Sequence, residues 1–235
     1  MILEICANSY QSAINAEKVG ADRIELCSEL AIGGITPSYG LLKKVISELT
    51  IPVHILIRPR SGNFTYSDEE FDIMKENITL CKEIGCTGVV SGVLHANNTI
   101  DIKRTQELIK LSKPMSFTFH RAFDVVLDSK KAMQQLINMG VDRILTSGQK
   151  EKAEQGIDLL IELQSIAEDK IIIMPGSGIN VNNAHFFKEA GFKEIHTSAS
   201  KVIFTNDDSY FGNTQQTISD VSTIKDILKI IRNEE

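Results

Sequence analysis

Several things are scarce in this chain, and each scarcity removes a class of function. No apolar run approaches the roughly 20 residues of a membrane-spanning helix, and the start, Met1-Ile2-Leu3-Glu4-Ile5-Cys6, lacks the basic and long apolar regions of a secretory signal. Positive charge is also thin. Lys and Arg number 25 against 31 Asp and Glu, giving a formal charge of -6, and they form no cluster that would neutralise a phosphate backbone. The four cysteines show neither a Cys-x-x-Cys pair nor zinc-finger spacing, so they read as reduced thiols rather than a disulfide framework. No nucleotide-cofactor motif occurs. The expectation is a soluble cytoplasmic protein with neither nucleic acid nor membrane as partner.

What is present is a repeated joint. Helical stretches end in glycine and short apolar strands follow at Gly20-Ala21-Asp22-Arg23-Ile24, Gly85-Cys86-Thr87-Gly88-Val89, Gly140-Val141-Asp142-Arg143-Ile144 and Gly191-Phe192-Lys193-Glu194-Ile195. Glycine suits the left-handed position after a helix, and such a joint at near-constant period is what a closed (βα)₈ barrel requires. At 235 residues the chain has the length for one such barrel, which commonly takes about 250 residues. We therefore expect an α/β fold, a TIM-type barrel forming a single domain over residues 1–235.

Eight strands are predicted, near Ile2–Cys6, Arg23–Cys27, Val53–Arg58, Gly88–Val93, Met115–His120, Arg143–Ser147, Ile171–Met174 and Glu194–Ser198. Helix entry is signalled by Thr36-Pro37 and by the capping box Ser67-x-x-Glu70. Helical spacing runs from Ala153 to Ala167, and a last helix is expected over Thr223 to Ile231. Two stretches read as irregular loops after strand ends: Pro59 to Tyr66, and 200–221 before the last helix. Both lie on the face where such barrels build sites, and they serve either as lids or as plain connections and oligomer contacts.

Strands buried on both faces should be continuously aliphatic, and several here are not. Period-two alternation turns Glu4, Cys6, Glu25 and Cys27 inward, with His54, Leu56 and Arg58, then Ser116, Thr118 and His120, then His196 and Ser198. Unpaired charges inside a barrel cost several kcal/mol, so these groups pair with one another or bind something. Glu4 and His54, lying deeper, suit internal pairing. Glu25, Arg58, His120 and His196 lie near strand ends and are candidate catalytic residues for general acid–base or metal-assisted chemistry.

Small residues follow the last strands: Ser147-Gly148, Gly176-Ser177-Gly178 and Ser198. Their position matches the phosphate-binding loops of barrels, so they are candidates for an anion cradle; the same Gly-Ser-Gly also suits a tight turn. Schiff-base chemistry lacks an inward lysine at a strand end, and no Gly-x-Ser-x-Gly elbow supports a serine hydrolase.

Together, Ile57-Arg58-Pro59-Arg60, Thr118-Phe119-His120-Arg121-Ala122-Phe123-Asp124 and Arg143-Ile144-Leu145-Thr146-Ser147-Gly148 resemble the CutC family of copper homeostasis proteins. The resemblance runs from Leu3-Glu4-Ile5-Cys6 through Met174-Pro175-Gly176-Ser177-Gly178-Ile179 to Glu194-Ile195-His196 and thins after Ser200. Ser177 stands where a third glycine is expected, and Gln149 follows Ser147-Gly148 as a second departure; both touch the anion cradle. The resemblance implies a cytosolic TIM-type barrel that handles copper, with Cys6 and Cys27 as thiols for Cu(I). Thiolates suit this soft ion, although buried cysteines also pack as inert small hydrophobes. Cys81 and Cys86, on the third helix and its exit, read as structural. Two readings stay open: a Cu(I)-binding homeostasis protein, or an enzyme acting on a small anionic or phosphorylated metabolite.

Overall fold

The computed structural model describes residues 1–206, 210 and 214–233. Eight parallel strands form the wall: β1 (Ile2–Ala7), β2 (Arg23–Leu26), β3 (Val53–Leu56), β4 (Gly88–Ser91), β5 (Ser116–Phe119), β6 (Arg143–Thr146), β7 (Ile172–Pro175) and β8 (Glu194–Thr197). Neighbours pair in sequence order from β1 to β7, β8 pairs β1, and a parallel bridge between Gly176 and His196 brings β7 to β8. The ring is a TIM-type barrel, as expected.

Seven helices connect these strands: α1 (Tyr10–Lys18), α2 (Tyr39–Glu48), α3 (Asp68–Glu83), α4 (Ile102–Ser112), α5 (Ser129–Met139), α6 (Ile157–Ala167) and α7 (Ala184–Glu189); α8 (Val221–Arg232) closes the described chain. The four joint glycines, Gly20, Gly85, Gly140 and Gly191, all sit at positive φ, between 75° and 86°. A residue with a Cβ is strained there, which explains the repeated signal. In the two joints reading Gly-x-Asp-Arg-Ile, the aspartate reaches back to the preceding strand. Asp22 accepts the Leu3 N–H at 2.8 Å and Asp142 the Phe117 N–H at 2.7 Å, while the arginine that follows turns inward.

The outward apolar faces, including Leu3, Ile5, Ile24, Ile55, Val89, Phe117, Ile144 and Ile195, pack under the helices as one continuous core. The capping box at Ser67 and Glu70 forms as expected. At Thr36-Pro37 the outcome differs: Ser38 caps α2, and the Thr36 hydroxyl instead accepts the Arg58 N–H at 2.8 Å. Helix α6 begins at Ile157 rather than Ala153, and the Ala153 N–H donates to the Ser177 carbonyl at 3.0 Å.

The stretch expected as an irregular loop over 200–221 is a correction. β9 (Ser200–Asn206) and β10 (Thr214–Ser219) form an antiparallel pair with a register shift between Gln216 and Thr217. Its β-branched residues, Val202, Ile203, Thr205, Thr217 and Ile218, favour a strand. Residues 207–209 and 211–213 of that expected loop lie outside the described residues. The base of the pair is tied to α1: Asn15 Nδ2 donates to the Ser219 carbonyl at 2.8 Å, and Ser219 N–H donates to Ser12 Oγ at 3.0 Å. No described helix is long and apolar enough to cross a membrane.

Candidate functional site

Inside the barrel the inward side chains form two levels. The lower level is an ionic plug. Arg23 donates from Nε to Glu4 Oε2 at 2.5 Å and from Nη2 to Glu194, and Arg143 Nε lies 3.1 Å from Glu194 Oε2 while its Nη1 donates to Ser116 Oγ at 2.7 Å. All four ions are buried, so each depends on its partners for compensation. Arg23, Arg143 and Glu194 were absent from the sequence candidates. The alternation that turns Glu25, Leu145 and His196 inward also turns in the residue two positions before each, so the signal was in the strand pattern.

Glu4 links the plug to the upper level. Its Oε1 lies 2.7 Å from His196 Nδ1, and Oε2 lies 3.7 Å from His54 Nδ1. Burial alone would push the Glu4 carboxyl up, but Arg23, with His196 and His54, holds it well below the usual carboxylate range. His196 moves the other way: burial opposes its charge, yet the bond to Glu4 and the nearby Glu25 raise it. His54 departs from the expected internal pairing, for its Nδ1 has no hydrogen-bond partner. Burial, with Arg23 and Arg143 opposing a positive charge, lowers it to about 3 despite Glu4.

The upper level opens into a cavity of about 660 Å³ at the C-terminal ends of the strands. Cys6, Glu25, Arg58, His120, His196, Ser177, Gly178 and Ser198 line it, so every candidate catalytic residue and three of the candidate anion-binding residues share one space. Glu25 is 4% exposed and its Oε2 has no hydrogen-bond partner. Burial, reinforced by Glu4 and opposed by His196, pushes its carboxyl up to about 8. His120, likewise buried and beside Arg58, is lowered to about 3.

Ser147, Gly148 and Gly176 are placed differently and do not line the cavity. Asp124 accepts the Ser147 N–H at 3.0 Å, the Ser147 hydroxyl at 3.0 Å and the Thr146 hydroxyl at 2.5 Å, while Gly148 N–H donates to Thr146 Oγ1 at 3.0 Å. Gly176 N–H is bonded to the Thr146 carbonyl. A carboxylate of the chain itself thus occupies the donors that an anion would use at Ser147. Asp124 was also missing from the sequence candidates; it sits on a 3₁₀ turn over Arg121–Val125, where no strand or helix period marks it, and pairs with Arg121 at 2.8 Å.

Cys6 and Cys27 stand at adjacent strand ends, their sulfurs 3.7 Å apart. Both are buried, and Cys6 touches the cavity. Contact with Cys27 and burial raise the Cys6 thiol well above its usual value, so it holds its proton at neutral pH. Metal–thiolate bonds of about 2.3 Å, the value for zinc, span 3.7 Å in a bent arrangement, and a linear one asks the sulfurs to separate by about 1 Å. A second donor set, Glu4, Glu25 and His196, brings one ligand atom from each within 4.8 Å of the others. Glu4 is already engaged by Arg23 and His196, so a hard cation there would have to displace those bonds. Cys81 and Cys86 are buried in the outer core and lie outside both sets.

Comparison with known proteins identifies the family. The model of the CutC family matches residues 1–201. A family protein CutC from Photorhabdus laumondii is 47% identical over 203 residues, covering 86% of this chain and 82% of that protein. One from Klebsiella pneumoniae is 46% identical over 200 residues, covering 85% and 81%. The structure of CutC from Streptococcus agalactiae, described as a candidate copper homeostasis protein, superposes with a TM-score of 0.80 at 36% identity, over 84% of this chain and 98% of that one. The chain belongs to the CutC family.

Proposed function

We propose that this protein acts in copper homeostasis by holding Cu(I) between Cys6 and Cys27, in the cytosol. The observation that carries the reading is the pair of buried thiols 3.7 Å apart at the floor of the mouth, reached through Cys6. Thiolates are the preferred ligands of this soft ion, and two of them suffice for a two-coordinate site. Copper is cargo here. The four cysteines are free thiols, the state a reducing compartment maintains. The copper homeostasis description of the Streptococcus agalactiae relative points the same way.

Capture of the ion releases protons, because the metal-free Cys6 thiol is protonated and only thiolates ligate. Affinity therefore rises with pH. The test is anaerobic titration with Cu(I) against a chromogenic chelator, for the wild type and for Cys6→Ser combined with Cys27→Ser. One equivalent in the wild type, lost in the double variant while its far-UV spectrum is unchanged, is the expected result. Equal binding by both proteins would dismiss this site.

A further inference from the structure

The thiols account for only part of the mouth. On the wall formed by the ends of β3 and β5, Arg58 is 6% exposed and has no carboxylate within ion-pair distance among the described residues. Its guanidinium is held by neutral groups: Nη1 donates to the carbonyls of Ile32 at 3.1 Å and Gly34 at 2.7 Å, Nη2 to that of Gly62 at 2.9 Å, and the Tyr66 hydroxyl lies close by. Two of its five donors are left, the second hydrogen on Nη2 and Nε–H, and Nε is buried without an acceptor. A buried cation with only dipoles around it is costly, and an anion is the group that relieves it.

Beside it, His120 presents a second orphan donor. Its Nδ1 accepts the Ala122 N–H at 3.2 Å, which leaves the proton of the neutral ring on Nε2, and that atom is buried without a partner. Both groups pack on Phe64, the Arg58 guanidinium carbon 5.3 Å and the His120 ring 4.9 Å from its ring centre. One aromatic ring thus holds the two donors on the same wall. Neither group is needed for a two-thiol copper site.

We infer that the mouth cavity is a binding site for a small organic oxyanion, whose charged oxygens are received by Arg58 Nε–H and His120 Nε2–H against Phe64 once the side chains that cover these two atoms move aside. The cavity, at about 660 Å³, is within the range of small-molecule sites, roughly 300–1,000 Å³. Ser177, Gly178 and Ser198 on the loops after β7 and β8 line the same space and offer polar contacts to the rest of such a molecule. The other guanidinium at the rim, Arg121, is already matched by Asp124 and contributes no uncompensated charge.

The test uses the full chain with three probes, inorganic phosphate, ribose 5-phosphate and pyruvate, against sodium chloride at equal ionic strength. Thermal unfolding is read together with the NMR cross-peak of the Arg58 Nε–H, assigned by its loss in Arg58→Lys. The expected result is a raised melting temperature and a moved Arg58 signal with at least one organic probe. His120→Asn, whose Oδ1 keeps an acceptor for Ala122 while removing the Nε2 donor, should weaken that binding about tenfold or more. A response to ribose 5-phosphate but not pyruvate assigns a phosphoryl group, and the reverse a carboxylate. If no probe exceeds chloride, or if His120→Asn binds as tightly as the wild type, the inference is overturned. Copper titrations are run without these probes, so each reading fails or stands separately.

Discussion

Replacing Glu25 by glutamine should change how stability depends on pH, and in a direction opposite to the usual carboxylate. Glu25 is raised from an ordinary value of 4.5 to about 8 because burial disfavours its charge. The folded protein therefore keeps a proton that the unfolded chain gives up, so this stabilisation is complete below about pH 4.5 and is lost as pH rises through 8. Each pH unit in that window removes about 1.4 kcal/mol. His54 and His120, both lowered to about 3, act with the other sign, losing stability as pH falls below 6.5. Between pH 6.5 and 8 those two are silent, and Glu25 alone removes about 2 kcal/mol. His196, raised partly by Glu25, steepens the same fall. Glutamine mimics the protonated acid. In urea unfolding followed by circular dichroism, since the chain has no tryptophan, Glu25→Gln should gain about 2 kcal/mol relative to the wild type between pH 6.5 and 8. Parallel curves for the two proteins would refute the buried neutral acid.

Two further substitutions probe the barrel beneath the site. Arg23→Met strips Glu4 and Glu194 of a shared buried partner, and chemical denaturation should show a loss of about 3–5 kcal/mol. Gly88→Ala places a Cβ about 2.4 Å from the His54 ring, an overpacking expected to cost about 1–3 kcal/mol, and much less in a His54→Ala background, as a double-mutant cycle would show.

How far the site could be read from the chain depends on which kind of order placed each residue. Period-two alternation is local, and it was enough to aim Glu25, Arg58, His120 and His196 at one cavity. It carried equal information about Arg23, Arg143 and Glu194, but these stand at the first positions of their strands, where an inward charge is easily taken for a solvated turn residue. The antiparallel pairing of β9 and β10 was obscured by a polar tract, although its β-branched residues carried the strand preference. Partnership is a different matter. Asp124 reaches Ser147 because the ring brings the turn after β5 beside the end of β6, and nothing in the phrase Thr146-Ser147-Gly148 reveals that a carboxylate arrives there first. Arg58 shows the same limit from the other side: alternation turns it inward, yet which of its nitrogens stays unpaired is decided by carbonyls at Ile32, Gly34 and Gly62 on two separate loops. Inward aim is a property of one strand, whereas an unmet hydrogen bond is a property of the closed ring. The chemistry of this mouth lies in the second, which is why the proposed oxyanion contact rests on Nε of Arg58 and Nε2 of His120 rather than on the residue types alone.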